Sequence, residues 1–281
     1  MGVVTTLFVL ASRRGSYHTD DLAAAIKAGS RHSYAIVIVD ITGQLPETHD
    51  DLVHRIPTPL PEAANDGFHR AAGIKWAIEQ GISFPYVISL SDETILTGPG
   101  LDHWVHESLR RDNLGCTGVL AGGDFNDAFR ASLNCLYDWS VPHDRFERAP
   151  PVFVDDVLFM SERFVAGMFQ LKLLTPEGCE AWPTTYGAYI SWVCHMVGLY
   201  TLGWGHSDRQ MPPLYVNRTQ LAVLPPPHIL AARFLVFAPA STVLSYCESD
   251  LREMFKRSRN EPAREIPPIT PVVSPKLEPA I

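Results

Sequence analysis

The 281-residue chain contains no run of the ~18–20 apolar residues that a membrane-spanning helix requires. The longest candidate, residues 229–240, is short and is interrupted by Arg233 and Pro239. The N-terminal stretch MGVVTTLFVLASRRG has no basic segment ahead of its brief apolar run, so it reads as a first β-strand rather than a signal peptide. Basic residues are in the minority: 23 Lys and Arg stand against 31 Asp and Glu, a formal net charge of −8. Coating a nucleic acid needs a basic face, so direct nucleic-acid binding is not expected, although a local pocket for one nucleotide is compatible with this charge. The five cysteines (Cys116, Cys135, Cys179, Cys194, Cys247) are odd in number and form no CxxC pair. That usage fits reduced thiols in a cytoplasm better than a disulfide framework or a zinc knuckle. Neither a P-loop nor a dinucleotide-binding glycine motif occurs, and there is no G-x-S-x-G elbow for a hydrolase triad.

What the chain does have is a globular balance, with 46% hydrophobic and 19% charged residues. Continuous apolar runs alternate with helical patterns. Val3 to Leu10 reads as a first strand, and Thr19-Asp20-Asp21 opens a helix over LAAAIKAG that Gly29 can end. YAIVIV (Tyr34 to Val39) is a second strand closed by Asp40, FHRAAGIKWAIEQG a second helix, and Val87 to Leu90 a third strand. Leu101 to Arg111 is the next helix, after which residues 115–151 carry only a weak, loop-rich pattern. VFVDDVLFM resumes as a strand, with Ser161 capping ERFVAGMF, and YGAYISWVCHMVG is a late apolar helix. Strands apolar on both faces and alternating with helices imply a mostly parallel sheet covered on both sides. Ligands of such sheets bind beyond the carboxyl ends of the strands. Here those ends carry Ser12-Arg13-Arg14, Asp40 and Ser91-Asp92-Glu93. Two adjacent acids at the end of an interior strand are costly to bury unless they face water or a cation.

The stretches TTLFVLASRRGSYHTDDLAAAI, YAIVIVDITGQ and NDGFHRAAGIKWAIEQGISFPYVISLSDETILTGPGLDHWV together resemble the GT-A type of glycosyltransferase, in its family-2-like group. The likeness covers residues 3–111 well and residues 152–206 loosely. It implies a GT-A-like, Rossmann-like α/β fold over residues 1–225, a mostly parallel sheet flanked by helices. Two further segments are expected: a C-terminal helical extension over 226–259, and an unstructured tail over 260–281 where Pro262, Pro267, Pro268, Pro271, Pro275 and Pro279 recur.

The resemblance also implies an activity: transfer of a sugar from a nucleotide-sugar donor to an acceptor the sequence does not name, with a divalent metal, Mn²⁺ or Mg²⁺. In that family the first strand ends at the nucleotide, here at Ser12 and Arg13, and the Asp ending the second strand contacts the nucleoside, here Asp40. The family's Asp-x-Asp motif maps onto Ser91-Asp92-Glu93, so Asp92 and Glu93 are the expected metal ligands, Asp92 also facing the nucleotide. A late histidine, His206 in LGWGHSD, is the expected third ligand. A hard ion with oxygen ligands neutralises diphosphate charge and activates the leaving group. Arg13, Arg14 and Arg70 offer guanidinium groups suited to phosphate oxygens. The acidic pair that inverting members place at the start of the late helix falls on Tyr186 and Gly187, so no acid stands there. Glu180, just upstream, and Asp156, with its neighbour Asp155, are the candidates for a base toward the acceptor hydroxyl. A missing base also fits a retaining enzyme or a non-catalytic GT-A-like binding protein. A sugar-nucleotide nucleotidyltransferase would need a glycine-rich basic loop after the first strand, and LASRRGSYH is not one.

Overall fold

Strand β1 (Thr6–Ser12) is buried at all seven positions, and β2 (Tyr34–Asp40) at every position after Tyr34. Runs such as LFVLA and AIVIV can be buried this way only if both faces of the sheet are covered. The computed structural model describes residues 3–13, 16–62, 64, 66–91, 94–96, 100–108, 113–120, 154–170, 186–204, 215–216, 236–237 and 272–273. After β1 the chain continues through α1 (Ser16–Gly29), β2, β3 (Val53–Pro57), α2 (Asp66–Glu79), β4 (Tyr86–Ser91), β5 (Ile95–Leu96) and α3 (Leu101–Ser108). It then forms β6 (Leu114–Leu120), β7 (Val154–Ser161), α4 (Glu162–Gln170), α5 (Tyr186–Met196) and β8 (Tyr200–Trp204). Three two-residue strands complete the described elements: β9 (Tyr215–Val216), β10 (Val236–Phe237) and β11 (Val272–Val273).

Among the described residues the main sheet has eight strands in the order β11-β8-β6-β7-β4-β1-β2-β3, and β5, β10 and β9 form a small second sheet. β1 pairs in parallel with β2 and β4, β2 with β3, and β6 with β8. β7 runs antiparallel to both β4 and β6, and β11 antiparallel to β8. Six strands therefore point one way and two the other, the mostly parallel α/β sheet expected from the sequence. One face packs Leu7, Val9, Val37 and Val39 against Ala71, Ile74 and Ala77 of α2, in a cluster that continues to Tyr189, Ile190 and Val193 of α5. On the other face Phe8, Ala25 and Ile26 of α1 and Leu101 of α3 line one small cavity.

Two glycines show why the helices sit where they do. A Cβ on Gly73 of α2 would come within 2.7 Å of Val9 and 2.9 Å of Val39, so α2 rests its backbone on β1 and β2. The helix ends at Glu79, and Gly81 follows at φ 71°, where Gly81 N–H returns to Ile78 O and Ile82 N–H to Ala77 O, the paired bonds of a glycine-terminated helix. The expected cap at Ser161 is present: its Oγ accepts the Phe164 N–H at 3.4 Å.

Several elements differ from the sequence reading. The first helix starts at Ser16, ahead of Thr19. β3 and β6 are strands where none was expected. β3 is the outer strand of the sheet, and its residues 52, 54, 56 and 58 face β2, as the bonds Ile36 N–H to Leu52 O and Asp40 O from Thr58 N–H require. Positions 53, 55 and 57 therefore face outward. In the segments expected as a helical extension and a tail, the described residues are Val236–Phe237 and Val272–Val273, and both pairs are extended. Among the described residues no helix is long and apolar enough to cross a membrane.

Candidate functional site

The strand register assembles the site. Ser12 pairs with Asp40, Ala11 with Ser91, and Asp40 with Pro57, so the carboxyl ends of β1, β2, β3 and β4 lie side by side on one rim. β6 and β8 point the same way and bring Leu120 and Trp204 to that rim. β7 runs oppositely, so its first residues, Val154 to Asp156, enter the sheet there. A parallel sheet whose polar strand ends meet on one edge is the arrangement in which α/β proteins hold ligands.

Ser12 is buried, and its Oγ lies 2.7 Å from Thr19 Oγ1 of α1, which locks the end of β1 to the helix that follows. Arg13, just beyond, donates from its guanidinium to the carbonyls of Glu62 and Ala64, at 2.6 and 2.5 Å. It therefore ties the β1 end to the segment that leads into α2. Asp40 is buried with 8% of its surface exposed. Its Oδ1 accepts the N–H groups of Thr42 and Gly43 at 3.1 and 2.9 Å and the Thr42 hydroxyl at 3.2 Å, and its Oδ2 accepts the Leu45 N–H at 2.8 Å. A carboxylate carries about four acceptor positions. Three donors share Oδ1 and one takes Oδ2, so the remaining capacity of Asp40 toward a ligand sits on Oδ2.

A groove of about 1340 Å³ opens at Asp40 and Gly43 and runs along β3, past His54 and Trp76, to Val3 and Val4. Most of it follows the sheet's side rather than the rim, so only its Asp40 end belongs to the strand-end site. The ion pair Lys27–Asp50 fastens the loop beside it to α1, and Arg55–Asp20 fastens β3 to the same helix. The Lys27 contact lowers the Asp50 pKa, and Asp50 in turn raises that of Lys27. His54 packs on Trp76 with ring centroids 5.1 Å apart, and burial pushes its pKa down.

Of the residues singled out from the sequence, the fold brings Ser12, Arg13 and Asp40 together at the rim. Asp156 belongs to the rim-side end of β7 by its backbone, and its side chain lies outside the described residues. Asp92 and Glu93 follow Ser91, the last residue of β4, and with Glu180 and His206 they too lie outside the described residues. Arg70 is buried in α2. Sequence reasoning missed two polar contacts near the rim. Thr58 follows β3, and its Oγ1 lies 2.6 Å from Nδ1 of the fully buried His69, while Thr19 serves Ser12. The only signal for His69 was a polar residue interrupting an otherwise apolar helix face. Among the described residues no group of three or more His, Cys, Asp or Glu is placed to hold a metal.

No protein-family model matches the chain, and neither does any curated protein. Solved structures do show a likeness. A glycosyltransferase involved in glycosylating the major capsid of PBCV-1 is 11% identical, over 90% of this chain and 99% of its own, with a TM-score of 0.45. The galactosyltransferase LgtC, solved with donor and acceptor sugar analogues, is 9% identical over 91% of this chain and 97% of its own, at a TM-score of 0.48. Mouse xyloside xylosyltransferase 1 is 11% identical over 86% of this chain and 99% of its own, at a TM-score of 0.40. The chain is thus similar to solved glycosyltransferases over most of its length. The reading of its site rests on the register of its own strand ends.

Proposed function

We propose that this protein is a glycosyltransferase that moves a sugar from a nucleotide-sugar donor to an acceptor hydroxyl with the help of a divalent cation. The observation that carries the reading is the in-register meeting of Ser12, Asp40 and Ser91 at one rim, with Asp92 and Glu93 next in the chain after Ser91. The nucleoside lies against the ends of β1 and β2, where the loop pinned by Asp40 forms one wall and the segment pinned by Arg13 another. Asp92, Glu93 and His206 are the residues that would hold Mn²⁺ or Mg²⁺. Their carboxylate and imidazole donors suit such ions, and β8 ends at the same rim two residues before His206. When bound, the ion would neutralise pyrophosphate charge and support departure of the nucleotide.

The first turn of α5 contains no acid, so a base from that helix is not part of the reading. Asp156, on the rim-side end of β7, and Glu180 remain the candidates to accept the acceptor's proton, and a base must come within hydrogen-bond reach of that hydroxyl. The same lack of an acid in α5 favours a second reading, a GT-A-like protein that binds a sugar nucleotide without turning it over.

Donor binding separates these readings. UDP and GDP, titrated calorimetrically with Mn²⁺ and again with EDTA, should bind only with the metal, and Glu93→Gln should abolish this metal-dependent binding while the protein melts as the parent does. Equal binding in EDTA would overturn the metal role. Release of nucleotide from a panel of sugar nucleotides identifies the enzyme, and binding without release identifies the non-catalytic protein.

A further inference from the structure

A second cluster of nitrogen ligands lies at the opposite end of the sheet. α3 carries His103 and His106 one turn apart, and His32 sits in the connection from α1 to β2. Asp102 holds the two elements together: its Oδ2 accepts the backbone N–H groups of Arg31 and His32, both at 2.8 Å, and its side chain is buried. The relative position of His32 and α3 is therefore fixed by bonds that involve neither imidazole. His103 Nδ1 lies 3.3 Å from His32 Nε2. The His106 ring stacks on His32 with centroids 4.9 Å apart and a 31° tilt, and Tyr86 meets the edge of His106 at 5.2 Å. The His32 ring is thereby held in orientation, and both His32 and His103 are half-buried, within reach of solvent.

A separation of 3.3 Å is within hydrogen-bonding distance for two imidazole nitrogens. It matches the spacing of two nitrogens on one ion: ligands about 2.05 Å from a tetrahedral metal lie about 3.3 Å apart. We propose that His32 Nε2 and His103 Nδ1 form a two-histidine chelate for an imidazole-preferring transition metal such as Zn²⁺, separate from the strand-end site. No third side chain among the described residues converges with them, so water or an external donor fills the remaining positions. Two neutral imidazoles select Zn²⁺, Cu²⁺, Co²⁺ or Ni²⁺ over Mg²⁺, which demands oxygen ligands.

The test uses the tag-free full chain, stripped with EDTA and dialysed, in a Glu93→Gln, His206→Ala background that removes the proposed donor-site ligands. Isothermal titration with Zn²⁺ should show one saturable site and Mg²⁺ none, with His32→Ala and His103→Ala each weakening Zn²⁺ at least ten-fold. Co²⁺ should give the intense visible absorption of a tetrahedral site, lost in both variants. Melting of the variants in EDTA at the parental temperature rules out unfolding as the cause. Should either variant unfold, glutamine at the same position (His32→Gln or His103→Gln) replaces it, since it keeps polarity and bulk without the imidazole. Absence of Zn²⁺ binding, or binding that survives both substitutions, overturns the proposal and leaves the pair as a hydrogen bond between imidazoles.

Discussion

Ser12 and Asp40 face one another as the last paired residues of β1 and β2, yet their side chains serve different neighbours. Ser12 reaches back to Thr19 of α1, while Asp40 gathers the backbone of residues 42–45. The two strand ends are thus braced from opposite sides.

Asp40→Ala leaves four donors of the following loop without their acceptor. Leaving such donors unsatisfied costs about 1–3 kcal/mol, so urea unfolding should show a loss in that range and UDP or GDP affinity should fall with it. Asp40→Asn keeps an acceptor oxygen and should lose less of both. Unchanged nucleotide affinity in Asp40→Ala would remove the nucleoside from this strand end.

Arg13→Lys tests the clamp between β1 and the segment before α2. A guanidinium spans the Glu62 and Ala64 carbonyls with separate N–H groups, and an ammonium cannot take that planar geometry. Lysine should therefore recover only part of the stability lost in Arg13→Ala, a loss of about 1 kcal/mol measured by denaturant titration.

Gly73→Ala should destabilise the protein by about 1–3 kcal/mol, because the new methyl group would come within 2.7 Å of Val9 and 2.9 Å of Val39 and force a shift between α2 and the sheet. Gly115→Ala, whose Cβ would run into the Cys194 thiol and lie 3.0 Å from Leu199, should do the same at the β6–α5 contact. Wild-type midpoints in urea for either variant would show that the layers can separate.

His54 titrates below its ordinary value of 6.5 because it is buried against Trp76. The unfolded chain then binds the proton more readily than the folded one, so stability is full above about 6.5 and declines as pH falls through the folded pKa. His54→Phe should flatten the stability profile in that window, as measured by thermal melts from pH 7.5 to 5. A parental profile in the variant would assign the acid sensitivity elsewhere.

Truncation after Arg259 removes β11, whose described residues add the pairs Val272–Gly203 and Val273–Leu202 to the sheet. The shortened chain should melt within a few degrees of the full one and bind nucleotide equally well. A large drop in melting temperature would give the tail a structural role.

The buried strands were legible because LFVLA and AIVIV stay apolar on both faces, and Gly81 and Ser161 announced their helix ends by residue type. β3 was not. VHRIP is short and mixes polar with apolar positions, as an edge strand with one exposed side can. β6 escaped because LGCTGVL carries four small residues in a row, Gly115 to Gly118, whose extended conformation is imposed by neighbours: Gly115 is demanded by Cys194 and Leu199, which are 79 and 84 positions away in the sequence. The sequence placed Asp40 correctly at the rim, but its engagement with the loop was readable only from D-I-T-G, an acid followed by hydroxyl and glycine at turn spacing. Distances between strand ends depend on register, and register is a property of pairing that no single run records.

The outward side of β3 has a further consequence. Of the three positions facing away from β2, Val53 returns its N–H to Asp50 O, and Pro57 has none to give. Along β3 an approaching strand would find only Arg55 offering a main-chain donor, on a residue whose guanidinium is bound to Asp20 and to the Pro46 carbonyl. A ladder needs donors at alternate positions along the facing edge, so this margin of the sheet is a poor template for a foreign strand.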